Sequence, residues 1–279
     1  MDGFLSIKEA VDKYIAGCQT KVGMTNGKLF VRAIMAGAFI ALGAAGSSVA
    51  AHTIADVGVA RLAASVIFPM GLMMVILLGA ELFTGDCLMA MSVSDKKQSI
   101  KDVVRVLIGV YLGNFVGAAG LALLVNFSGQ LNYSGGMLGA YTIKVAMGKV
   151  NVTFLEGITS GLLCNILVCA AVLRALCAKD VTGKLLASFF IIMLFVTSGY
   201  EHCVANMYYI TAGLIAKMNP AYAALAMEQY GYSLEQMQGL NIYGFLVTNL
   251  IPVTIGNILG GAVFLGLPLY YLNTRKSGK

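Results

Sequence analysis

Long apolar runs separated by short charged segments dominate the chain and predict six membrane-spanning helices. Four of the runs are continuous and cover about residues 33–51, 106–126, 153–177 and 242–271. A bilayer core about 30 Å thick is crossed by about 20 helical residues. Each run is long enough for one crossing, so the charged segments between the runs are predicted to be loops.

The second and fifth runs are longer than one crossing needs, and polar residues interrupt both. The second begins near Leu62, meets the segment 79–86 (GAELFTGD) and continues to about Val93. The fifth covers about 185–216 and is interrupted at 197–202 (TSGYEH). Ionisable side chains are costly in lipid, so both interruptions are predicted to face protein or water and to be functional.

Residues 1–28 are predicted to form a separate N-terminal segment, in which residues 4–22 make an amphipathic surface helix. Its apolar side chains fall on one helical stripe, and Ser6 followed by Glu9 is typical of a capping box. A solvated tail is the alternative. The stripe consists of Phe4, Ile7, Val11, Tyr14, Ile15, Cys18 and Val22.

The two halves of the apolar region 29–273 resemble each other. Residues 113–119 read GNFVGAA in the third run, and residues 256–262 read GNILGGA in the sixth. Each half, about 29–126 and 153–273, holds three runs with the interruption in the middle one. An odd number of crossings inverts the second half, and paired broken helices in inverted repeats place a site near the bilayer midplane.

Composition supports the membrane assignment. The chain is 58% hydrophobic and only 11% charged, whereas about a quarter of the residues in a soluble domain are charged. Transmembrane β-strands would give alternating segments of about ten residues, which the sequence lacks. The prediction is an all-α polytopic membrane protein. Its six cysteines lie mostly in apolar runs without metal-ligand spacing, so they are interpreted as small buried hydrophobes.

The basic residues predict that both termini lie in the cytoplasm. With that orientation, 15 Lys and Arg residues fall in inside segments and four in outside segments, in agreement with the positive-inside rule. The four are Arg61, Lys144, Lys149 and Lys217. The net charge of +6 sits in loops and in the tail 274–279, so it does not predict nucleic-acid binding. No apolar core of a cleavable signal peptide is present, and the expected location is the cell's inner (plasma) membrane.

The interruptions place charged groups where helix N-termini are expected to converge. In this topology the segments that start near Asp86 and Glu201 aim their positive dipole ends at the centre. Unwound backbone N–H groups there need partners, because lipid offers none. Asp86 is interpreted as an N-cap, and Glu81 and Glu201 as acceptors for the unwound N–H groups. An anion is therefore a more natural ligand of the centre than a cation.

His202, Thr84 and Lys149 are the candidates for contact with an anion. His202 is the histidine set deep in an apolar run. Thr84 lies at a glycine-flanked break, where its hydroxyl either lines a pore or bonds its own helix. Lys149 lies on the outer side, which has few lysines, and either draws anions or is simply solvated. Asn165 and Asn206 are mid-span amides that either join helices or orient His202.

Four apolar residues near the breaks are either packing residues or pore constrictions: Phe68, Leu72, Phe83 and Phe195. A bare anion loses its hydration at an apolar ring, whereas its conjugate acid pays little for the same passage. Low dielectric favours the neutral form of a weak acid. The hypothesis is that a small weak-acid anion takes up a proton near His202 and crosses as the neutral acid.

Three motifs give the chain a resemblance to the formate/nitrite transporter family over essentially its whole length. Residues 76–85 (ILLGAELFTG) are similar to the family's first signature, and residues 161–169 (GLLCNILVC) to its second. Residues 199–202 (GYEH), together with Asn206, are similar to its pore-histidine segment. Ala170 replaces a larger aliphatic residue of the second signature, which leaves the predicted pore unaffected.

The resemblance implies an aquaporin-like six-helix protomer, assembled as a homopentamer with one pore per protomer. It implies that Thr84 and His202 lie in the pore, that Lys149 lies near it and that Asn165 lies close to the histidine. The four apolar residues named above are implied at constrictions. The anions implied are formate, nitrite and hydrosulfide, and the chain most resembles the formate/hydrosulfide branch. Asp86 and Cys87, which follow the first signature, are a local variation that is expected to bear on substrate choice.

Two other classes of function are weighed against an anion transporter. A water or glycerol pore excludes ions with an arginine or half-helix dipoles, but here a histidine occupies the break and no arginine is available there. An intramembrane enzyme would use His202 with Cys203 or Glu201, yet adjacent helical residues do not face one another. The prediction is a transporter, not an enzyme, without cofactor or metal. Its expected partners are small monoanions, lipid and copies of itself, and no nucleic acid.

Overall fold

The computed structural model describes residues 4–274, and every regular element in that range is helical apart from one β-bridge between Phe4 and Ala178. In chain order the helices are α1 Ile7–Gly23, α2 Asn26–Ala51, α3 Val57–Ile67, α4 Met70–Leu77, α5 Phe83–Asp86, α6 Ala90–Ser94, α7 Ile100–Phe127, α8 Met137–Val150, α9 Phe154–Cys177, α10 Val181–Ser198, α11 Cys203–Lys217, α12 Pro220–Tyr230, α13 Leu234–Gln238 and α14 Gly244–Thr274. Within 4–274, six segments are long and apolar enough to cross a bilayer, namely α2, α3 with α4, α7, α9, α10 and α14. The prediction of an all-α chain with six apolar spans is confirmed.

The second span begins earlier than the sequence predicts. Asp56 caps α3, because its side chain accepts a hydrogen bond from the N–H of Val59 at 2.8 Å. The helix therefore starts at Val57 rather than near Leu62, and Arg61 lies in a helix instead of the expected loop. The aspartate N-cap was the available signal for this boundary.

At each polar interruption one helix ends and another begins. α4 ends at Leu77, and Gly79 then turns the chain with a φ of +66°, a conformation that favours glycine. The chain becomes helical again in the short α5. In the same way Gly199, with a φ of +73°, follows α10. The expected fifth span over 185–216 is thus two helices, of which α10 alone has the length of a crossing.

Close backbone contacts hold two pairs of spans together. A methyl group on Gly117 of α7 would lie 2.0 Å from the carbonyl oxygen of Ile34 in α2. A methyl group on Gly256 of α14 would lie 2.1 Å from the carbonyl oxygen of Ile158 in α9. Small residues allow such an approach between membrane helices, where packing replaces the hydrophobic effect as the driving force.

The N-terminal helix α1 is docked onto the span bundle. Its predicted capping box is confirmed, since the Ser6 N–H donates to Glu9 Oε2 at 2.7 Å and the Ser6 side chain accepts from the Glu9 N–H. The Leu5 N–H donates to the carbonyl of Cys177 at 2.7 Å, and the Tyr14 hydroxyl donates to the carbonyl of Gly85 at 2.9 Å. Four residues of its predicted stripe are buried, namely Val11, Tyr14, Ile15 and Cys18, whereas Phe4 and Ile7 at its beginning are exposed.

Candidate functional site

Thr84 and His202, from the two interrupted segments, meet at the centre of the bundle. Thr84 lies in the first turn of α5, and His202 is the residue before α11. The Thr84 Oγ1 and His202 Nε2 atoms are 2.9 Å apart, and both side chains are buried. The structure therefore brings together the two residues that the sequence marks for pore contact.

The protonation of His202 follows from its second hydrogen bond. The backbone N–H of Ala205 donates to His202 Nδ1 at 3.0 Å, so His202 is the side-chain N-cap of α11. A backbone N–H can only donate, so Nδ1 must accept, and the neutral ring carries its proton on Nε2. That proton is donated to Thr84 Oγ1, which leaves the hydroxyl hydrogen of Thr84 free to donate elsewhere.

One cavity opens onto His202 and has a volume of about 340 Å³. We call it the Lys149 cavity. Its lining includes Ser47, Arg61, Phe68, Lys144, Lys149, Phe195, Glu201, His202 and Tyr209. The rings of Phe68 and Phe195 meet edge to face with centroids 5.6 Å apart, and the Phe195 centroid lies 5.9 Å from that of His202. An aromatic pair thus borders the histidine within this cavity.

Lys149 is bonded to the second interruption rather than free in a loop. It lies in the last turn of α8, which extends to Val150 where the sequence predicts a helix over 137–147. Its Nζ donates to Glu201 Oε1 at 2.6 Å, with 18% of the lysine side chain and 7% of the glutamate side chain exposed. Asn206 Nδ2 donates to Glu201 Oε2 at 2.6 Å and to Asn249 Oδ1 at 2.8 Å.

A second cavity, of about 450 Å³, shares no lining residue with the first. We call it the Lys21 cavity. Its lining includes Lys13, Tyr14, Lys21, Arg32, Leu72, Glu81, Leu82, Gly85, Asp86 and Lys184. Residues on both sides of Thr84 in the sequence thus face this cavity. His202 lines the Lys149 cavity, and its partner Thr84 lies in the sequence between Leu82 and Gly85, which line the Lys21 cavity.

Lys21, at the end of α1, binds both carboxylates of the first interruption. Its Nζ contacts Glu81 Oε2 at 2.5 Å and also contacts Asp86 Oδ1. Arg32 Nη1 lies 3.7 Å from Glu81 Oε1. Burial opposes the charge on Lys21, but the carboxylates of Asp86 and Glu81 outweigh burial and raise the pKa of Lys21 above its usual range.

Two asparagines bind the backbone of the two interruptions in the same way. Asn114 Oδ1 accepts from the N–H of Phe83 at 2.9 Å, and its Nδ2 donates to the carbonyl of Glu81 at 3.0 Å. Asn257 Oδ1 accepts from the N–H of Cys203 at 2.9 Å. Asn257 Nδ2 donates to the carbonyl of residue 201 at 3.0 Å. Each amide thus satisfies one donor and one acceptor that an interrupted helix leaves unpaired.

These contacts correct the roles that the sequence suggests for the three acidic residues. Asp86 ends α5 and occupies the predicted N-cap position, that of the 3-10 helix Cys87–Met89, but its side chain makes no capping bond there. Glu81 and Glu201 bind lysine side chains, and within residues 4–274 neither carboxylate accepts a hydrogen bond from an unwound backbone N–H. Sequence reasoning missed Asn114 and Asn257 as the backbone partners, although both lie in the repeated Gly-Asn motif.

The structure separates the two roles left open for the mid-span amides. Asn165 Nδ2 donates to the carbonyl of Thr84 at 3.0 Å and to the carbonyl of Asn257 at 2.6 Å. Asn206 binds Glu201 and Asn249. Within the described part of the chain neither amide is hydrogen-bonded to His202, so both join segments, and Asn165 holds the backbone carbonyl of Thr84, the partner of the histidine.

The four apolar candidates do not all face a cavity. Phe68 and Phe195 line the Lys149 cavity, and Leu72 lines the Lys21 cavity. Phe83 lines neither of these cavities and packs edge to face on Tyr111, with ring centroids 4.8 Å apart. The preceding residue, Leu82, faces the Lys21 cavity instead. Adjacent residues at the start of a helix point in different directions. Leu82 therefore faces the cavity while Phe83, the residue named from the sequence, points away from it.

Six apolar spans around a buried histidine–threonine pair, with two separate charged cavities, define a multi-pass membrane channel or transporter. The sequence model of the family described as "Formate/nitrite transporter" matches residues 8–271. The chain belongs to the formate/nitrite transporter family. This result confirms the resemblance that the three motifs suggest.

The relatives found in the comparisons are named as channels and transporters. The chain is 38% identical over 247 residues to the formate channel FocA of Haemophilus influenzae, an alignment that covers 87% of this chain and 86% of that relative. It is 34% identical to a probable formate transporter of Methanothermobacter thermautotrophicus, with 88% of each chain covered. The similarity to formate channels supports placement near the formate channel branch.

Solved structures give the same result for the fold. A pentameric formate channel with formate bound superposes with a TM-score of 0.79 at 33% identity, covering 90% of this chain and 98% of that chain. An FNT family ion channel superposes with a TM-score of 0.78 at 28% identity, covering 95% and 98%.

Proposed function

We propose that the protein is a pore for small weak-acid monoanions, with formate as the first candidate and hydrosulfide and nitrite as further ones. The observation that carries the proposal is the hydrogen bond between Thr84 and His202, buried between two cavities that each contain a lysine. The similarity to named formate channels supports the choice of formate. The expectation that no arginine is available at the break is wrong, because Arg61 Nη1 lies 3.5 Å from the carbonyl oxygen of Thr197 and Arg61 lines the Lys149 cavity. A neutral-solute pore is still not favoured, since it has no use for a lysine in each cavity.

In the proposed path an anion enters the Lys149 cavity and meets the Phe68–Phe195 pair. Desolvation at the aromatic rings favours the conjugate acid over the anion. The hydroxyl hydrogen of Thr84 is available to the anion, because Thr84 Oγ1 already accepts from His202. Leu72 and Leu82 form the apolar boundary of the path on the side of the Lys21 cavity.

Proton exchange in this path begins on His202. The neutral ring has only its Nε2 proton, so it must first accept a second proton, from water in the Lys149 cavity, on Nδ1 in competition with the N–H of Ala205. The imidazolium then passes its Nε2 proton to Thr84 Oγ1 as the Thr84 hydroxyl hydrogen moves to the anion. The products are the neutral acid, an intact threonine and a neutral ring protonated on Nδ1.

The experiment that tests this function is uptake into proteoliposomes at several pH values. Formate, hydrosulfide and nitrite are compared with chloride and glycerol. We expect flux of at least formate and none of glycerol. Glycerol flux without flux of any of the three weak-acid anions would overturn the proposal in favour of a neutral-solute pore.

His202→Asn isolates the titrating ring from its structural role. Asparagine is a favoured N-cap, so the substitution can retain the bond to the Ala205 N–H while removing the imidazole. We expect the variant to keep its assembly and thermal stability but to lose the rise of formate uptake toward acid pH. Thr84→Val, which keeps the shape and removes the hydroxyl, is expected to lower uptake at all pH values. An unchanged pH profile in the His202 variant contradicts the exchange step.

The proposed assembly is a homopentamer with one pore per subunit. Support comes from the superposition on a pentameric formate channel and from the large exposed apolar residues on the spans, which lipid and neighbouring subunits would cover. We place both termini and the Lys21 cavity in the cytoplasm, on the evidence of the basic residues, and the whole protein in the inner (plasma) membrane.

The two halves are proposed to be inverted repeats with broken helices at the interruptions. Asn114 and Asn257 support this arrangement. Each side chain binds one backbone carbonyl through Nδ2, and each binds the N–H two residues further along the chain through Oδ1. The contact of Gly117 recurs at Gly260, the matching position in the other half, where an added methyl group would lie 2.2 Å from the carbonyl oxygen of Leu162. Such a repeat places the two helix starts and the Thr84–His202 pair near the bilayer midplane.

A further inference from the structure

The cluster around Lys21 holds one more carboxylate than the cluster around Lys149. Lys21 Nζ contacts both Glu81 and Asp86, and two oxygens bonded to one nitrogen are necessarily close to each other. Asp86 is 1% exposed, and among the described residues its Oδ2 atom has no hydrogen-bond partner. A buried carboxylate oxygen without a donor is costly, and two carboxylates near one cation disfavour full ionisation.

The matching position in the other half of the chain carries an amide donor. Asp86 lies five residues after Glu81, and Asn206 lies five residues after Glu201. Asn206 Nδ2 donates to Glu201 Oε2 at 2.6 Å, while its own Oδ1 has no partner among the described residues. A protonated carboxyl group is the closest acidic equivalent of that amide, because it offers one donor and one acceptor.

We infer that Asp86 and Glu81 together bind one proton, carried on Asp86 Oδ2, so that the Lys21 cavity contains a proton-binding site. Lys21 then faces one net negative charge, as Lys149 does at Glu201. The proton comes from water in the cavity and forms an O–H bond on Asp86. It returns to that water when the pH rises, and no other bond changes.

No neighbouring side chain within residues 4–274 donates a hydrogen bond to Asp86 Oδ2. The titratable and charged groups that face the pair are Tyr14, Cys18 and Lys21 from α1, Arg32 from α2, Cys87 directly after α5, Cys169 from α9, and Lys13 and Lys184 in the cavity lining. The Tyr14 hydroxyl is used by the carbonyl of Gly85, and the Cys169 thiol by the carbonyl of Thr84. Arg32 is nearly half exposed, so water screens its effect on Glu81.

The site has a consequence for transport that rests on the proposed function. With the proton bound, the cluster of Lys21, Glu81 and Asp86 is neutral and does not repel a monoanion. Without the proton, the cluster carries a net negative charge beside the path, in a medium where charges interact strongly. Anion flux through the Lys21 cavity is therefore higher when Asp86 is protonated.

The test is an infrared titration of the full-length protein in lipid, which follows the carbonyl band of protonated carboxyl groups without any transported anion. In the wild type we expect a band that is still present at pH values where ordinary carboxyl groups, with pKa values of about 4, are ionised, and that disappears as the pH rises further. Asp86→Asn, which copies the amide of Asn206, should lack that band and keep its assembly by size-exclusion chromatography. Asp12→Asn is the matched control, because Asp12 pairs with Lys8 on the surface and should leave the band unchanged.

Two further measurements test the proton site, one on the carboxyl band and one on formate uptake. Lys21→Met removes the cation that favours the ionised carboxylates, so the band should persist to higher pH than in the wild type. In proteoliposomes, Asp86→Asn should exceed the wild type in formate uptake at alkaline pH. A wild type without a titrating carboxyl band, a band that survives Asp86→Asn, or a Lys21→Met titration that does not move upward in pH each overturns the proton site. Loss of formate specificity with an intact band difference would instead count against the proposed function alone.

Discussion

Replacing Lys149 with methionine is expected to destabilise the protein strongly and to abolish anion uptake. The substitution leaves Glu201 buried with 7% of its side chain exposed and without its cation. Removing one partner of a buried ion pair destabilises a protein by about 3–5 kcal/mol, because the remaining charge is uncompensated. Thermal unfolding in detergent measures the loss of stability, and proteoliposome uptake measures the loss of flux.

A second substitution separates the structural effect from the electrostatic one. Lys149→Met combined with Glu201→Gln removes both charges and retains an amide oxygen for Asn206, so it should recover most of the lost stability. Uptake should stay low, since the cavity still lacks the positive charge that attracts anions. Full recovery of uptake in the double variant would show that Lys149 acts only through Glu201.

Lys144 provides the matched control for this experiment. It lines the same cavity but is exposed, and its Nζ lies over the rings of Tyr141 and Tyr230 at 5.4 and 4.8 Å from their centroids. Exposed cation–π contacts contribute about 0.5–1 kcal/mol. Lys144→Met is therefore expected to change stability little and to weaken uptake mainly at low ionic strength.

Gly117→Ala is expected to destabilise the bundle more than most single methyl additions. The new Cβ would lie 2.0 Å from the carbonyl oxygen of Ile34 and 2.9 Å from the backbone nitrogen of Ala38, so α2 and α7 must separate. Overpacking a well-packed interior typically costs about 1–3 kcal/mol, and backbone atoms relax less readily than side chains. Since α7 also carries Asn114, uptake should fall together with the melting temperature.

Gly120→Ala tests whether this effect arises from the helix contact. Gly120 lies in the same helix, and nothing lies within 4 Å of the Cβ that the substitution adds. In helices alanine is favoured over glycine by up to about 1 kcal/mol, so this variant should be as stable as the wild type or slightly more stable. Equal losses in both variants would mean that helix separation is not the cause.

The spans could be predicted from the sequence because bilayer thickness fixes their length. Apolar runs of about 20 residues identify the crossings whatever they pack against, and six such segments are found in residues 4–274. Boundaries were harder, since caps and turns decide them. Because Asp56 caps α3, the helix starts earlier than predicted and includes Arg61. The predicted fifth span consists of two separate helices, α10 and α11.

Site residues could be predicted from the sequence only where a polar side chain interrupts an apolar run. His202 and Thr84 were marked by polarity inside apolar runs, and they are in contact in the structure. The partners of Glu81 and Asp86 were not predictable, because Lys21 lies far away in sequence on an amphipathic helix that the pattern predicts only as a surface element. The repeated Gly-Asn motif was visible, but the function of its asparagine depends on backbone groups from other helices.

Because α1 is docked onto the spans, it should be kept when the protein is prepared for experiments. Leu5, Tyr14 and Lys21 attach it to α9, to α5 and to both acidic residues of the first interruption. Trimming the first two dozen residues for crystallisation or for a fusion tag therefore removes part of the wall of the Lys21 cavity. A truncated preparation would have two buried carboxylates without their lysine, and its measured conductance would describe a different molecule.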